Sequence, residues 1–337
     1  MNSKGFKVAW GAAMSFAFFR KGETERAASQ RLPRPRIGLA LGAGVARGWA
    51  HIGALRELED IGVKPDIVVG ASIGAVVGGA YAAGKLDELE KFARSLTRRS
   101  VFGLLDLSFA GSGLLGGDRL RRRLELAVGD ARIEDLPLRY ACVATELGVG
   151  HEIWLKTGSL AEAMRASYAM PGLFEPVRVG GRWLIDGALV NPVPVSIARA
   201  LGADRVIGIA IGTEGAGRGA TLHDLVALPE IETAAPAEVQ ASGWSRPGQW
   251  LRAWKGDSDS QPPGVATVMV STFNIAQDRI MRSRLAGDPP DFLLTLKTGR
   301  FGLFEFHRAA ELIDFGRAAV RRAKDEILEQ LEVGAAS

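Results

Sequence analysis

The feature that most constrains the fold is a pattern met twice near the start of the chain: a short apolar run that ends on glycines and opens into a helix. Ile37-Gly38-Leu39-Ala40-Leu41 leads through Gly42-Ala43-Gly44 into a helical pattern with Ile52, Leu55, Leu58 and Ile61 on one face, and Gly62 is placed to end it. Asp66-Ile67-Val68-Val69 leads through Gly70-Ala71-Ser72-Ile73-Gly74 into a small-residue helix reaching about Ala83. Strand, helix, strand, helix predicts an α/β fold whose parallel sheet is covered by helices.

Farther along, Leu86, Leu89, Phe92, Ala93 and Leu96 mark another helix, Tyr140–Ala144 a buried strand and Asp204–Ala210 a late one. Val177-Arg178-Val179 and Trp183-Leu184-Ile185 read as a hairpin turning at Gly180-Gly181, and Phe306–Leu331 reads as helix. Residues 213–265 break the pattern. Gly, Ala, Pro and Ser dominate there, and Trp244, Trp250 and Trp254 stand near Arg246 and Arg252, so the stretch is either a loose surface loop or a lid.

The chain's 337 residues, 47% of them apolar, supply ample material for a core. Its single cysteine, Cys142, excludes an internal disulfide framework and a cysteine-cluster metal site, and fits a reducing, cytoplasmic compartment. The net charge of +4 belongs to a tail: residues 1–35 carry Lys4, Lys7, Arg20, Lys21, Arg26, Arg31 and Arg34 against Glu23 and Glu25. Overall basicity therefore gives no case for a nucleic-acid partner. Arg119, Arg121, Arg122 and Arg123 form a local run, but beside Leu120, Leu124 and Leu126 they read as the solvated face of a helix. Within the tail, Val8–Phe19 is apolar yet too short to span a hydrocarbon core of roughly 30 Å at about 1.5 Å per residue. Its flanks imitate a signal peptide, but the small-x-small site Ala27-Ala28-Ser29 lies beyond the charged stretch Arg20–Arg26, which argues for retention. Two readings stay open for residues 1–21: peripheral contact with a membrane, or docking on the body of the protein.

Gly70-x-Ser72-x-Gly74 is the stretch that suggests chemistry. Its glycines let the backbone bend from strand into helix and present the serine hydroxyl at the carboxyl end of the sheet, where the free N–H groups of the next helix favour developing negative charge. Gly42-Ala43-Gly44-Val45-Ala46-Arg47-Gly48 forms a second concave set of backbone donors. Adjacent parallel strands would set nucleophile and oxyanion hole side by side, the parts that acyl transfer needs. A dinucleotide site would instead close the second strand with an acidic residue, and here that strand ends in Gly70-Ala71-Ser72.

A serine hydroxyl needs a base. The four histidines, His51, His151, His223 and His307, stand in no motif, and His51 reads as a helix residue, either packed or exposed. Asp186 ends a strand in Leu184-Ile185-Asp186-Gly187-Ala188, followed by Asn191-Pro192-Val193-Pro194. An isolated Asp-Gly is normally just a turn. In combination, Gly42–Gly48, Gly70-Ala71-Ser72-Ile73-Gly74 and Asp186-Gly187-Ala188 resemble, in that order, the patatin-like phospholipase family, especially its compact bacterial members. Met170-Pro171-Gly172-Leu173-Phe174-Glu175-Pro176 is similar to the family's link between nucleophile and aspartate.

The resemblance covers about residues 36–212 and, more weakly, 265–325. It implies a three-layer α/β/α fold with a mainly parallel central sheet over residues 36–325, interrupted by the insert at 213–265, with a basic and apolar tail at 1–35 and another tail at 326–337. It further implies a Ser-Asp dyad in which Ser72 attacks a lipid acyl ester, of phospholipid or lysophospholipid type, while Asp186 takes its proton, without metal or organic cofactor. Backbone N–H groups around Gly44, Val45 and Gly48 would form the oxyanion hole, and Arg47 would steady that loop or meet a phosphate. Ala43 and Val45 stand where many relatives carry glycine, which leaves open which donors act. Two other readings remain: a conventional Ser-His-Asp α/β-hydrolase using His223 or His307, and a membrane-associated scaffold without chemistry.

Overall fold

A computed structural model describes residues 34–104, 122–123, 128–212 and 265–332. The N-terminal apolar run, Arg119 and Arg121, residues 213–264 with His223 and the three tryptophans, and residues 333–337 lie outside them. Among the described residues one sheet contains β1 (Ile37–Leu41), β2 (Ile67–Ala71), β3 (Arg139–Glu146), β4 (Glu152–Leu155), β5 (Val177–Val179), β6 (Arg182–Asp186), β7 (Arg205–Gly212) and β8 (Phe292–Lys297). The order is β5-β6-β3-β2-β1-β7-β8, with β4 also paired to β3. Strands β3, β2, β1, β7 and β8 run parallel, whereas β4 and β6 oppose β3, and β5 opposes β6.

The helices whose full span is described are α1 (Ala50–Asp60), α2 (Ile73–Ala82), α3 (Leu86–Ser95), α4 (Arg98–Leu104), α5 (Leu160–Ser167), α6 (Val195–Ala200), α7 (Val265–Gly287), α8 (Ala309–Arg322) and α9 (Lys324–Glu332). Alternate strand residues face opposite ways. Leu39, Leu41, Val68, Tyr140, Ile207 and Ile209 pack with α1, α2, α5 and α8, while Ala40, Val69, Ala141, Val143, Val206 and Ala210 pack with α6 and Phe273 of α7. Burial on both faces is why these strands read as continuous apolar runs. The arrangement is the three-layer α/β/α fold that the sequence led us to expect. Helix α9 crosses the boundary expected at residue 325 and buries Ile327, so the chain there is still part of the packed body.

One topological detail positions the site. Val143 of β3 pairs with both Ala71 of β2 and Trp154 of β4, and Ala144 pairs with both Ile153 of β4 and Asp186 of β6. A strand has two edges, so β4 occupies one, and β2 and β6 share the other, approaching each other end to end. Ser72 follows the last residue of β2, and Asp186 is the last residue of β6.

Candidate active site

Ser72 sits at φ 55° and ψ −123°, and Val45, in the glycine-rich turn, at φ 53°. Among the described residues these are the non-glycine positions with positive φ. For a β-branched residue such as Val45 that conformation is costly, and backbone strain of this kind gathers at functional sites because the surrounding structure enforces it. A side chain at Gly74 would run into the carbonyls of Leu41 and Gly42, so glycine is what lets α2 begin against the end of β1. The Ser72 N–H donates to Ser167 Oγ at 3.0 Å, and the Ser167 hydroxyl donates to the Val143 carbonyl at 2.7 Å. Through Ser167 the elbow is tied to α5 and β3.

The Ser72 hydroxyl donates to Asp186 Oδ2 at 2.7 Å, although 114 residues separate the two along the chain. The Ala188 amide donates to Asp186 Oδ1 at 2.8 Å, the Asp186 amide to the Ala169 carbonyl, and the Thr145 hydroxyl to the Asp186 carbonyl. These bonds hold the carboxylate in one orientation at the start of the short 3₁₀ turn Gly187–Leu189. Asp186 is fully buried, and burial pushes its carboxyl up to about 7 against the opposing pull of the Ala188 amide and the Ser72 hydroxyl.

The glycine-rich turn is braced from several sides. Amides of Gly42, Ala43, Ala46 and Arg47 donate to carbonyls of Ile209, Pro192, Leu303 and Gly44, whereas those of Gly44 and Val45 have no acceptor among the described residues. Gly48 lies inside the 3₁₀ turn Val45–Trp49 that follows. His51, buried in α1, donates through Nε2 to the Gly42 carbonyl at 2.7 Å, and burial pushes its imidazole down to about 4, so the ring is neutral. The sequence gives no signal for this brace, because a lone histidine in an apolar helix looks the same whatever it touches.

Val45 and Ser72 line one cleft of about 780 Å³, part of it open to solvent, whose walls include Trp49, Ile73, Leu89, Phe174 and Phe306. Arg47 is buried and lines a different, more polar cavity with Asn274, Arg279 and Arg300. Of the other histidines, His151 bonds Glu146 and His307 bonds Arg98; no described histidine bonds Ser72 or Asp186. No group of three or more His, Cys, Asp or Glu among the described residues is arranged to hold a metal ion, and none of the described helices is long and apolar enough to cross a membrane. Cys142 is buried, and burial pushes its thiol up to about 12, which leaves it unreactive.

Comparison with known proteins gives a concordant picture. The family model described as patatin-like phospholipase matches residues 39–199. An uncharacterized NTE family protein of Mycobacterium bovis is 34% identical over 338 residues, covering 89% of this chain and 93% of its own. Lysophospholipase nte1 of Emericella nidulans is 28% identical over 88% of this chain but only 18% of its own length. Patatin-like phospholipase domain-containing protein 6 of Homo sapiens is 37% identical over 53% of this chain and 13% of its own.

Proposed function

Because this chain belongs to the patatin-like phospholipase family, we propose that it hydrolyses acyl esters of phospholipids or lysophospholipids, with Ser72 as nucleophile and Asp186 as base. The observation that carries the reading is the 2.7 Å bond from the Ser72 hydroxyl to Asp186, in a cleft whose other walls are apolar. An apolar wall suits an acyl chain, and a relative named lysophospholipase supports the lipid class. In the first step Ser72 Oγ bonds to the ester carbonyl carbon and its proton passes to Asp186 Oδ2. The amides of Gly44 and Val45 receive the oxyanion. Collapse breaks the ester C–O bond, and the carboxyl returns its proton to the departing alkoxide. Water then attacks the acyl-serine, giving its proton to Asp186, and the carboxyl finally reprotonates Ser72 as the fatty acid leaves. A carboxyl held near 7 is a far better base at neutral pH than one at about 3.9.

A serine-reactive fluorophosphonate probe, together with hydrolysis of phospholipids, lysophospholipids, triacylglycerols and short-chain esters, tests the reading. Wild type is expected to label and to turn over lipid esters, and Ser72→Ala to do neither. Labelling that survives Ser72→Ala would refute the assignment, and loss of turnover in His223→Ala or His307→Ala would replace the dyad by a Ser-His-Asp arrangement. A wild type that neither labels nor hydrolyses any ester would favour the scaffold.

A further inference from the structure

Large apolar side chains stand open at one corner of the sheet: Leu147 is 50% exposed, Val149 62% and Trp183 52%. The Leu147 amide donates to the Trp183 carbonyl at 2.8 Å and so ties the β3–β4 turn to the β5–β6 hairpin. Arg178 lies directly across the hairpin from Trp183, with its guanidinium 5.8 Å from the indole centroid. Cross-strand partners share a face, so the tryptophan and the cation point the same way.

The position of this corner gives it meaning. Strand β3 runs past the level of the Ser72–Asp186 pair, and β6 descends to it, so Leu147 and Trp183 each stand three residues beyond that level. This places them roughly 10 Å farther out at the same end of the sheet. The charges are suited to an anionic surface. Glu146 is matched by Arg182, and Glu152 by Arg284, whereas Arg178 has no carboxylate partner among the described residues. An indole with a neighbouring guanidinium, on a hairpin bonded to a turn that bears exposed aliphatic side chains, has one end for acyl chains and one for phosphates.

We propose that Leu147, Val149, Trp183 and Arg178 form the edge by which this protein docks on a phospholipid surface carrying anionic headgroups, so that its reactive end faces the lipid. The idea rests on the lipid-ester reading above, and the test keeps the two apart. The one native thiol, Cys142, is buried, so a thiol-reactive nitrobenzoxadiazole dye attaches only at an introduced cysteine. Full chains carrying Val149→Cys, or Lys64→Cys at the opposite end of the sheet, are mixed with phosphatidylcholine vesicles with and without phosphatidylglycerol. The dye at 149 is expected to shift to the blue with a several-fold rise in emission, more so with phosphatidylglycerol, while the dye at 64 stays unchanged. Ser72→Ala in the Val149→Cys chain should dock as wild type does. Leu147→Ser combined with Trp183→Ser should slow hydrolysis of vesicle lipids roughly tenfold or more, in line with the apolar burial lost, and leave turnover of a soluble short-chain ester unchanged. A silent dye at 149, an equal response at 64, or equal loss on both substrates would overturn the proposal. So would conversion of a dimer to monomer by Trp183→Ser without change in the vesicle response. Docking without hydrolysis of any lipid would retain the edge and reject only the catalytic reading.

Discussion

The Asp186 carboxyl is removed from water with one hydroxyl and one amide as its partners, so its proton bears on stability and, under the proposed dyad, on rate. If Asp186 is the base, as proposed, it must be ionised to act: kcat/KM for a soluble ester should rise about tenfold per pH unit and level off above a pH of about 7. Its effect on stability has the opposite direction. The folded carboxyl holds its proton up to about 7 and the unfolded one only to about 3.9, so stability falls as pH rises between those values and the whole penalty is present above them. Asp186→Asn is therefore expected to be inactive yet more stable to denaturant than wild type at pH 8, by on the order of a few kcal/mol, with the gap closing toward pH 4. A gap independent of pH would contradict the raised carboxyl. His51 gives a second test. His51→Phe leaves the Gly42 carbonyl without its donor, and should cost about 1–3 kcal/mol in denaturation and slow ester turnover, whereas His51→Gln, which keeps a donor, recovers much of both. The turn that presents Ser72 was legible from its flanking glycines, whereas Asp186, an ordinary Asp-Gly taken alone, was singled out only by the family resemblance of the three motifs together. His51 and Ser167 were not legible, since each acts on a backbone group far away in sequence or on another element, and nothing local distinguishes them from ordinary helix residues.

Among the elements, the α1–α8 crossing supports the site from behind. A methyl group at Gly53 would overlap the Ile313 carbonyl, and one at Gly316 the Ala50 carbonyl, so the two helix backbones touch. Arg321 bonds Glu57, and Arg317 bonds Asp60, across the same crossing. Gly316→Ala should cost about 3 kcal/mol or more and, by displacing α1 and with it His51, lower turnover as well; near-native melting would show that the helices can separate cheaply. Strands buried on both faces and the hairpin at Gly180-Gly181 were readable from apolar runs and turn residues. Strand β4 is only four residues long, too short for a strong periodic signal, whereas β8, whose residues alternate buried and exposed, has the period of a half-buried strand. Helix α7 lacks a clear apolar stripe: it buries Val270 and Phe273, packs against the Gly187–Leu189 turn, and leaves Val268, Met269 and Ile275 exposed.

At the scale of the whole molecule, the match to residues 39–199 ends before β7, β8 and α8, yet β7 pairs with β1 and α8 covers α1. A chain cut after Gly212 should lose α8 from the buried face of α1 and β8 from the edge of β7. It is expected to be aggregated or lacking a cooperative melt by circular dichroism, whereas a soluble fragment with a sharp transition would mean that the later elements are dispensable. The end-to-end meeting of β2 and β6 has a further consequence during synthesis, under the dyad reading. A growing polypeptide holds its serine long before residue 186 is made, and it has no proton acceptor for that serine until the returning strand has threaded in beside β3. On that reading the reactive pair exists only once the sheet is assembled, so activity appears with the completed fold and not before it.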